Sequence, residues 1–403
     1  GTSVDAKLYL AFQILDYALV MTPGAPVKQA LLDAGISTDV YSSYETSLYQ
    51  PVYSIVAKNS NSKEQDRFVS VINDTLEKLV KDGINERTIE AGINYYEFKY
   101  READYGPYPK GLMYYLTMMD SWLYDETKPF IHIEAGDTFD ELKKNARNGY
   151  FEKLIKEYLL DNNHKSIISL VPEYGLEKEK EQKEADKLAE YKSTLTNDEL
   201  EELVKKTKEL KEYQDTPSSQ EDLEKIPMLE LSDIKREPAK DYNDVKSVDG
   251  IKIVHHNIFT NKIAYINMSF DTKCVPDELI PYMGLLGSTL SLMDTKNYTY
   301  PELTNEININ CGGLATGTAL YSDKVDFSKN TIVYEVKSKA LYEKVPFVLG
   351  MMEEIMYNTR FDDYKRLKEI IARIKSRLEA SLMGQGHSIA MLECCAQFSE
   401  SAY

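Results

Sequence analysis

Cysteine is scarce and poorly placed in this chain. Among 403 residues it occurs only at Cys274, Cys311, Cys394 and Cys395. The last two are adjacent and no C-x-x-C pair exists. This spacing fits neither a disulfide framework nor a zinc finger. Free thiols in a reducing compartment are expected, and a cytoplasmic location is favoured. Histidine is nearly as rare, at His132, His164, His255, His256 and His387. No two stand at i, i+4, so no helix face can offer a metal two imidazoles. The G-x-S-x-G, P-loop and G-x-G-x-x-G patterns are absent, which removes the usual signatures of serine hydrolases and nucleotide-binding folds. No uninterrupted apolar run approaches the roughly 20 residues of a membrane helix. No signal peptide is visible, because Gly1-Thr2-Ser3-Val4 leads directly into an amphipathic pattern. Positive charge is short as well: 48 Lys and Arg face 66 Asp and Glu, a net charge of −18. Such a surface repels nucleic acid and favours solubility.

The chemistry-bearing residues that are present each have a plainer reading. His255 and His256 are neighbours on a predicted strand, so their side chains point to opposite faces. His132-Ile133-Glu134 would put a histidine and a glutamate on one strand face, but no third ligand accompanies them. His387, within Gly384-Gln385-Gly386-His387, marks a helix break. Gly312-Gly313 and Gly317 do not open a helix, so they read as a tight turn or close backbone approach and not as a phosphate cradle. Tyr105, Tyr108, Tyr114 and Tyr115 read as boundary packing with wet hydroxyls. The sequence nominates no catalytic, cofactor-binding or metal-binding residue.

Periodicity divides the chain into three parts. Residues 1–172 open with a helix over Lys7–Val20, capped by Ser3 or Asp5. Thr22-Pro23-Gly24-Ala25-Pro26 breaks it. A helix over Val27–Ala34 stops at Gly35. A strand over Pro51–Val56 and helices over Gln65–Lys81, Arg87–Tyr100, Leu112–Tyr124 and Phe139–Leu160 follow. A final strand is expected over Ser166–Val171. Residues 173–245 are densely charged and read as a helical hairpin turning near Ser193–Asn197. Thr196 and Glu199 form its capping box, and a thin stripe runs through Leu200, Leu203, Val204, Thr207 and Leu210. An extended stretch with Pro227 and Pro238 leads away. Residues 246–403 begin with a turn at Asp249-Gly250. An apparent strand pair, Ile251–His256 and Ile263–Phe270, precedes a helix over Asp277–Met293.

The third part then repeats the first at an offset of about 278 residues. Pro26, Leu31 and Gly35 correspond to Pro301, Leu303 and Gly312-Gly313. Pro51–Val56 corresponds to Asn330–Val336, Gln65–Lys81 to Leu341–Asn358, and Arg87–Tyr100 to Lys365–Leu378. A shared order at one offset marks a duplicated unit. Strands and helices in duplicate predict an α+β class, an antiparallel sheet with helices packed on one face.

These residues resemble the presequence-protease branch of the pitrilysin/insulinase zinc metallopeptidases. The resemblance rests on Leu15-Asp16-Tyr17 before Thr22-Pro23-Gly24-Ala25-Pro26, on Leu31–Gly35, and on the charged hairpin Glu177–Glu212. Pro281–Met293, Tyr298-Thr299-Tyr300-Pro301-Glu302-Leu303, Cys311-Gly312-Gly313 and Gly386–Ala390 complete it. It implies that 1–172 is a second, non-catalytic domain, 173–245 a helical hinge, and 246–403 a third, inactive domain. It also implies that a first and a fourth domain of the parent chain are missing here. In that family zinc is held by an H-x-x-E-H helix of the first domain. The equivalent helix here, within Leu279–Met293, has no His and no Glu. The resemblance therefore implies zinc ligands outside these residues, unstructured peptides as parent substrates, and no nucleic-acid or membrane partner. The competing expectation is a non-enzymatic scaffold of the same fold that uses Glu177–Tyr213 for partner contacts.

Overall fold

A computed structural model describes residues 1–237, 242–326 and 329–399. Pro238, expected in an extended stretch, lies outside the described residues. The chain forms two units. One combines Gly1–Ser169 with Phe259–Tyr403, and the other is Leu170–Ile258.

The first piece of the larger unit is wound around helix α1 (Ala6–Asp16). Asp5 caps it by accepting from the Leu8 amide. A π-helical turn, Tyr17–Met21, continues α1, and α2 (Pro26–Asp33) follows the break. By length and composition Ala6–Asp33 is apolar enough to cross a membrane, which corrects the expectation that no stretch approaches this. Here its apolar side chains build the core instead: Ala11, Ile14, Ala18 and Leu19 are fully buried. Strands β1 (Asp39–Glu45) and β2 (Val52–Lys58) pair antiparallel. Then come α3 (Gln65–Asp82), α4 (Glu86–Glu102) and α5 (Lys110–Trp122). The expected helix over Phe139–Leu160 is broken. It forms α6 (Gly136–Asn145) and α7 (Tyr150–Leu154), separated by a turn where Gly149 has φ +68. A π-helical segment, Ile155–Leu160, extends α7. The expected strand over Ser166–Val171 is not formed; the segment is irregular, with Ile168 and Leu170 exposed. An alternating apolar run without a strand to pair with has no ladder to join.

In the smaller unit, α8 (Leu176–Thr194) and α9 (Asn197–Asp215) are joined at the expected turn, and Thr196 and Glu199 make the expected capping box. The hairpin is not a packed one. Neither helix buries a residue and the two do not pack along each other. The cause lies in α8, which is charged on every side and offers no stripe to meet Leu203, Val204 and Leu210. After α10 (Gln220–Glu224), strands β3 (Asn243–Val248) and β4 (Ile251–His256) form a hairpin. Its two-residue turn needs positive φ twice, supplied by Asp249 (φ 49) and Gly250 (φ 82). This corrects the expected pairing of Ile251–His256 with Ile263–Phe270.

The second piece of the larger unit runs β5 (Ile263–Asp271), α11 (Ile280–Thr289), α12 (Tyr300–Asn310), β6 (Leu314–Ser322), β7 (Asn330–Leu341), α13 (Val345–Asn358), α14 (Tyr364–Gly384) and α15 (Gly386–Ala396). The antiparallel sheet has the order β5-β7-β6. Helices cover one face only, where Tyr334, Val336 and Ala340 meet Leu303, Ile307, Met352 and Ile355. The duplication holds element by element. Each copy runs helix, Pro-initiated helix, antiparallel hairpin, a 3-10 turn and two long helices. The α+β class follows, with each copy built on its own apolar core.

Candidate functional site

The helix where a metal site would be sought is α11. Its side facing the sheet is used for close backbone packing. The Gly287 carbonyl accepts from Thr316 Oγ1 at 2.8 Å. A Cβ on Gly287 would stand 2.9 Å from both Gly317 Cα and the Thr316 carbonyl. The helix therefore lies directly on β6, and its sequence offers no imidazole or carboxylate to a cation. Among the described residues no group of three His, Cys, Asp or Glu side chains is placed to hold a metal. The residues present do not fit zinc, and no chemistry is routed through it.

The histidines are dispersed. His132 is not on a strand. It sits in a turn, fully buried, while Glu134 is exposed, so the two do not share a face. Its ring stacks on Tyr9 at 3.8 Å, and Nε2 lies 2.7 Å from the Ser3 carbonyl. That contact requires a proton on Nε2, which leaves buried Nδ1 bare and without a partner. Burial pushes its pKa down, against a smaller upward pull from the Ser3 carbonyl and Asp120. The same pocket continues through Tyr9 Oη, which donates to Asp120 at 2.9 Å, where Thr46 also donates at 2.8 Å. This is a satisfied core network. His255 and His256 are exposed on β4 as expected, and His387 opens α15 just after the expected helix break. All four thiols are free. Burial pushes the Cys311 thiol up to about 11, so it is inert as a nucleophile. Tyr105 and Tyr114 meet edge to face at 6.0 Å, while Tyr108 and Tyr115 are exposed.

The sheet face left open by the helices carries one buried carboxylate. Glu335 of β7 is 3% exposed. It accepts from Asn267 Nδ2 at 2.7 Å and Tyr321 Oη at 2.6 Å, and pairs with Lys337. Burial alone would raise its pKa, but these three donors together hold it down at about 2. It is a fixed anion and not a proton shuttle.

A second group of residues joins the two pieces of this unit. The α4 and α12 helices run against each other. Arg87 pairs with Glu306, Asn305 donates to Thr88 at 3.0 Å, and Asn308 donates to the Tyr17 hydroxyl at 2.6 Å. Glu102, at the end of α4, receives Lys339 at 2.6 Å and Tyr265 at 2.8 Å. Residues singled out for their resemblance meet here. Gly24 (φ +74) turns its open side to Pro301 and Tyr300, and a Cβ there would fall 2.8 Å from Pro301 Cγ. Gly312 lies under Phe98, whose ring a Cβ would strike at 2.0 Å. Two motifs far apart in sequence are thus one seam. Nothing in a single sequence says that Gly24 touches Pro301; the cue is only that both are glycine- and proline-rich breaks at matching places in the repeat.

Comparison with known proteins accords with this architecture. The family of associated domains of metallopeptidase family M16, subfamily C, matches residues 170–403. "Protein HypA" of Clostridium perfringens is 41% identical over 391 residues, covering 97% of this chain and 40% of that protein. "Presequence protease 1, chloroplastic/mitochondrial" of Arabidopsis thaliana is 30% identical over 393 residues, covering 96% of this chain and 36% of its own length. The crystal structure of pitrilysin aligns with 95% of this chain and 38% of its own, at a TM-score of 0.38 and 12% identity. The chain spans about two fifths of the length of the relatives it matches. It belongs to the subfamily-C associated family of the M16 peptidases, in the presequence-protease branch.

Proposed function

We propose that this chain serves as the central, non-catalytic portion of a zinc metalloendopeptidase that degrades unstructured peptides. Its two duplicated pieces form chamber wall, and the segment bearing α8 and α9 acts as the hinge. The observation that carries this reading is α11. The family relationship points to a zinc peptidase, yet the helix in the corresponding place has a glycine surface seated on β6 and no donor for a metal. The lengths of the relatives support the same reading, because each extends well beyond the part matched here. Fixed anions such as Glu335 suit a wall better than a proton-transfer site.

Zinc content of the purified chain, measured by mass spectrometry, and turnover of a quenched fluorogenic peptide test this directly. The expected result is zinc far below one equivalent and no chelator-sensitive cleavage. One equivalent of zinc with cleavage abolished by a chelator would overturn it.

A further inference from the structure

In a chain of net charge −18, one place concentrates unpaired positive charge. It lies where α14 meets α2, β1 and the loop after β2. Lys365 at the start of α14 reaches Asp33 of α2 at 3.4 Å. Further along, Ser376 accepts from Asn59 Nδ2 at 3.3 Å, just beyond β2. Arg366, Arg373 and Arg377 are spaced by seven and four residues, so they share this face of α14.

The charges there are not balanced. Lys28 is 14% exposed; its Nζ donates to the Val40 carbonyl at 2.7 Å and faces Asp39 at 3.4 Å. Arg366 is 8% exposed, stacks on Tyr300 at 3.9 Å and pairs with Glu369, but its Nη2 is buried with no acceptor. Arg373 is half-buried, and neither it nor Arg377 makes a hydrogen bond or ion pair among the described residues. Four cations therefore face two carboxylates, Asp39 and Glu369. Burial pushes the Arg373 pKa down, and the charges of Arg377 and Arg366 push it further. Burial also lowers the Lys28 pKa, with Arg373 and Arg377 among the causes. Two like charges at i, i+4 destabilise a helix, and a partly buried guanidinium without a partner is costlier still. Acidic side chains abound in this sequence, yet no others are placed to balance these cations.

We propose that this face binds a small multivalent oxyanion of the phosphate class, held by the Arg373 and Arg377 guanidinium groups in front of Lys28. The missing counter-charge is thus supplied from outside the chain. Planar guanidinium forks match phosphate oxygens two at a time, which single ammonium groups do not. Asn59 and Ser376 supply neutral hydrogen-bonding groups at the edge. Because α2 and β1 belong to the first piece and α14 to the second, the anion also fastens one piece to the other. This site is independent of the peptide-degrading role proposed for the parent enzyme.

Isothermal titration of the whole chain with pyrophosphate, at ionic strength matched with chloride, tests it. Binding of one equivalent is expected, weakened about tenfold or more by Arg373→Gln and again by Arg377→Gln, as for loss of a charge-assisted hydrogen bond. Lys178→Gln, on exposed α8, should leave the affinity unchanged. Far-UV circular dichroism of the glutamine variants should match the parent, since each removes a repulsion. Absence of binding, equal affinity in the Arg373→Gln, Arg377→Gln double variant, or preference for a triglutamate peptide over pyrophosphate would each overturn the proposal.

Discussion

At the residue scale, the most constrained side chains are held by what their neighbours donate or withhold. His132 has one ring nitrogen committed to Ser3 and the other sealed without a partner. Its folded pKa lies below the ordinary value of 6.5. An unfolded chain then takes up a proton that the folded one refuses. Stability from this group is complete above about 6.5 and is lost as pH falls towards the folded value. Chemical denaturation from pH 8 to 5 should show this loss, and His132→Gln should flatten it. Glu335 acts in a lower window. Its pKa is held at about 2 against an ordinary 4.5, so its contribution is present above 4.5 and disappears between these values. Glu335→Gln should remove that part of the acid denaturation curve. Gly287 has a steric role: its Cβ would enter the β6 backbone. Gly287→Ala should cost about 1–3 kcal/mol by overpacking, measured by urea denaturation.

At the element scale, periodicity locates most helices to within a few residues, because α3, α4, α9 and α14 carry clear apolar stripes and their own caps. Asn85 accepts from the Arg87 and Thr88 amides, and Asp363 from Arg366. The failures share one cause. Ser166–Val171 alternates like a strand, and Ile251–His256 reads as a partner for Ile263–Phe270, but pairing is decided by distant segments. Strand β5 finds β7, some seventy residues on, while β4 folds back on β3 through a turn whose Asp249-Gly250 signal is visible in the sequence. The break at Gly149 is hidden because apolar residues keep helical spacing on both sides of it. In α9 the local signals stand alone, without burial to support them. Thr196→Ala should therefore cost about 1 kcal/mol of helix stability. Faster amide exchange at Asn197–Glu199 should report it.

At the scale of the whole molecule, two apolar cores share no buried residue. One draws on Leu8–Ile155 and the other on Leu290–Ile355. What joins them is largely polar: Arg87 with Glu306, Glu102 with Lys339 and Tyr265, Asn308 with Tyr17. The absence of a metal-binding motif is legible in the sequence; the seam is not, because each of its residues has a partner more than 100 positions away. The two cores should unfold separately. Trp122 is the single tryptophan and lies in the first piece. Ile355→Ala should weaken the second core by about 2–5 kcal/mol. The urea midpoint from circular dichroism should shift while that from Trp122 fluorescence stays nearly fixed. A common shift of both signals would show one cooperative body.

The larger unit is written in two instalments, with Leu170–Ile258 between them. A ribosome needs on the order of 10 s to pass such a stretch. During that interval the first core is complete, while Thr88, Glu102 and Phe98 wait for partners that do not yet exist. Newly made chains therefore present the α4 face bare before its complement emerges, and it is there that a nascent copy is most open to capture by chaperones or by the wrong neighbour.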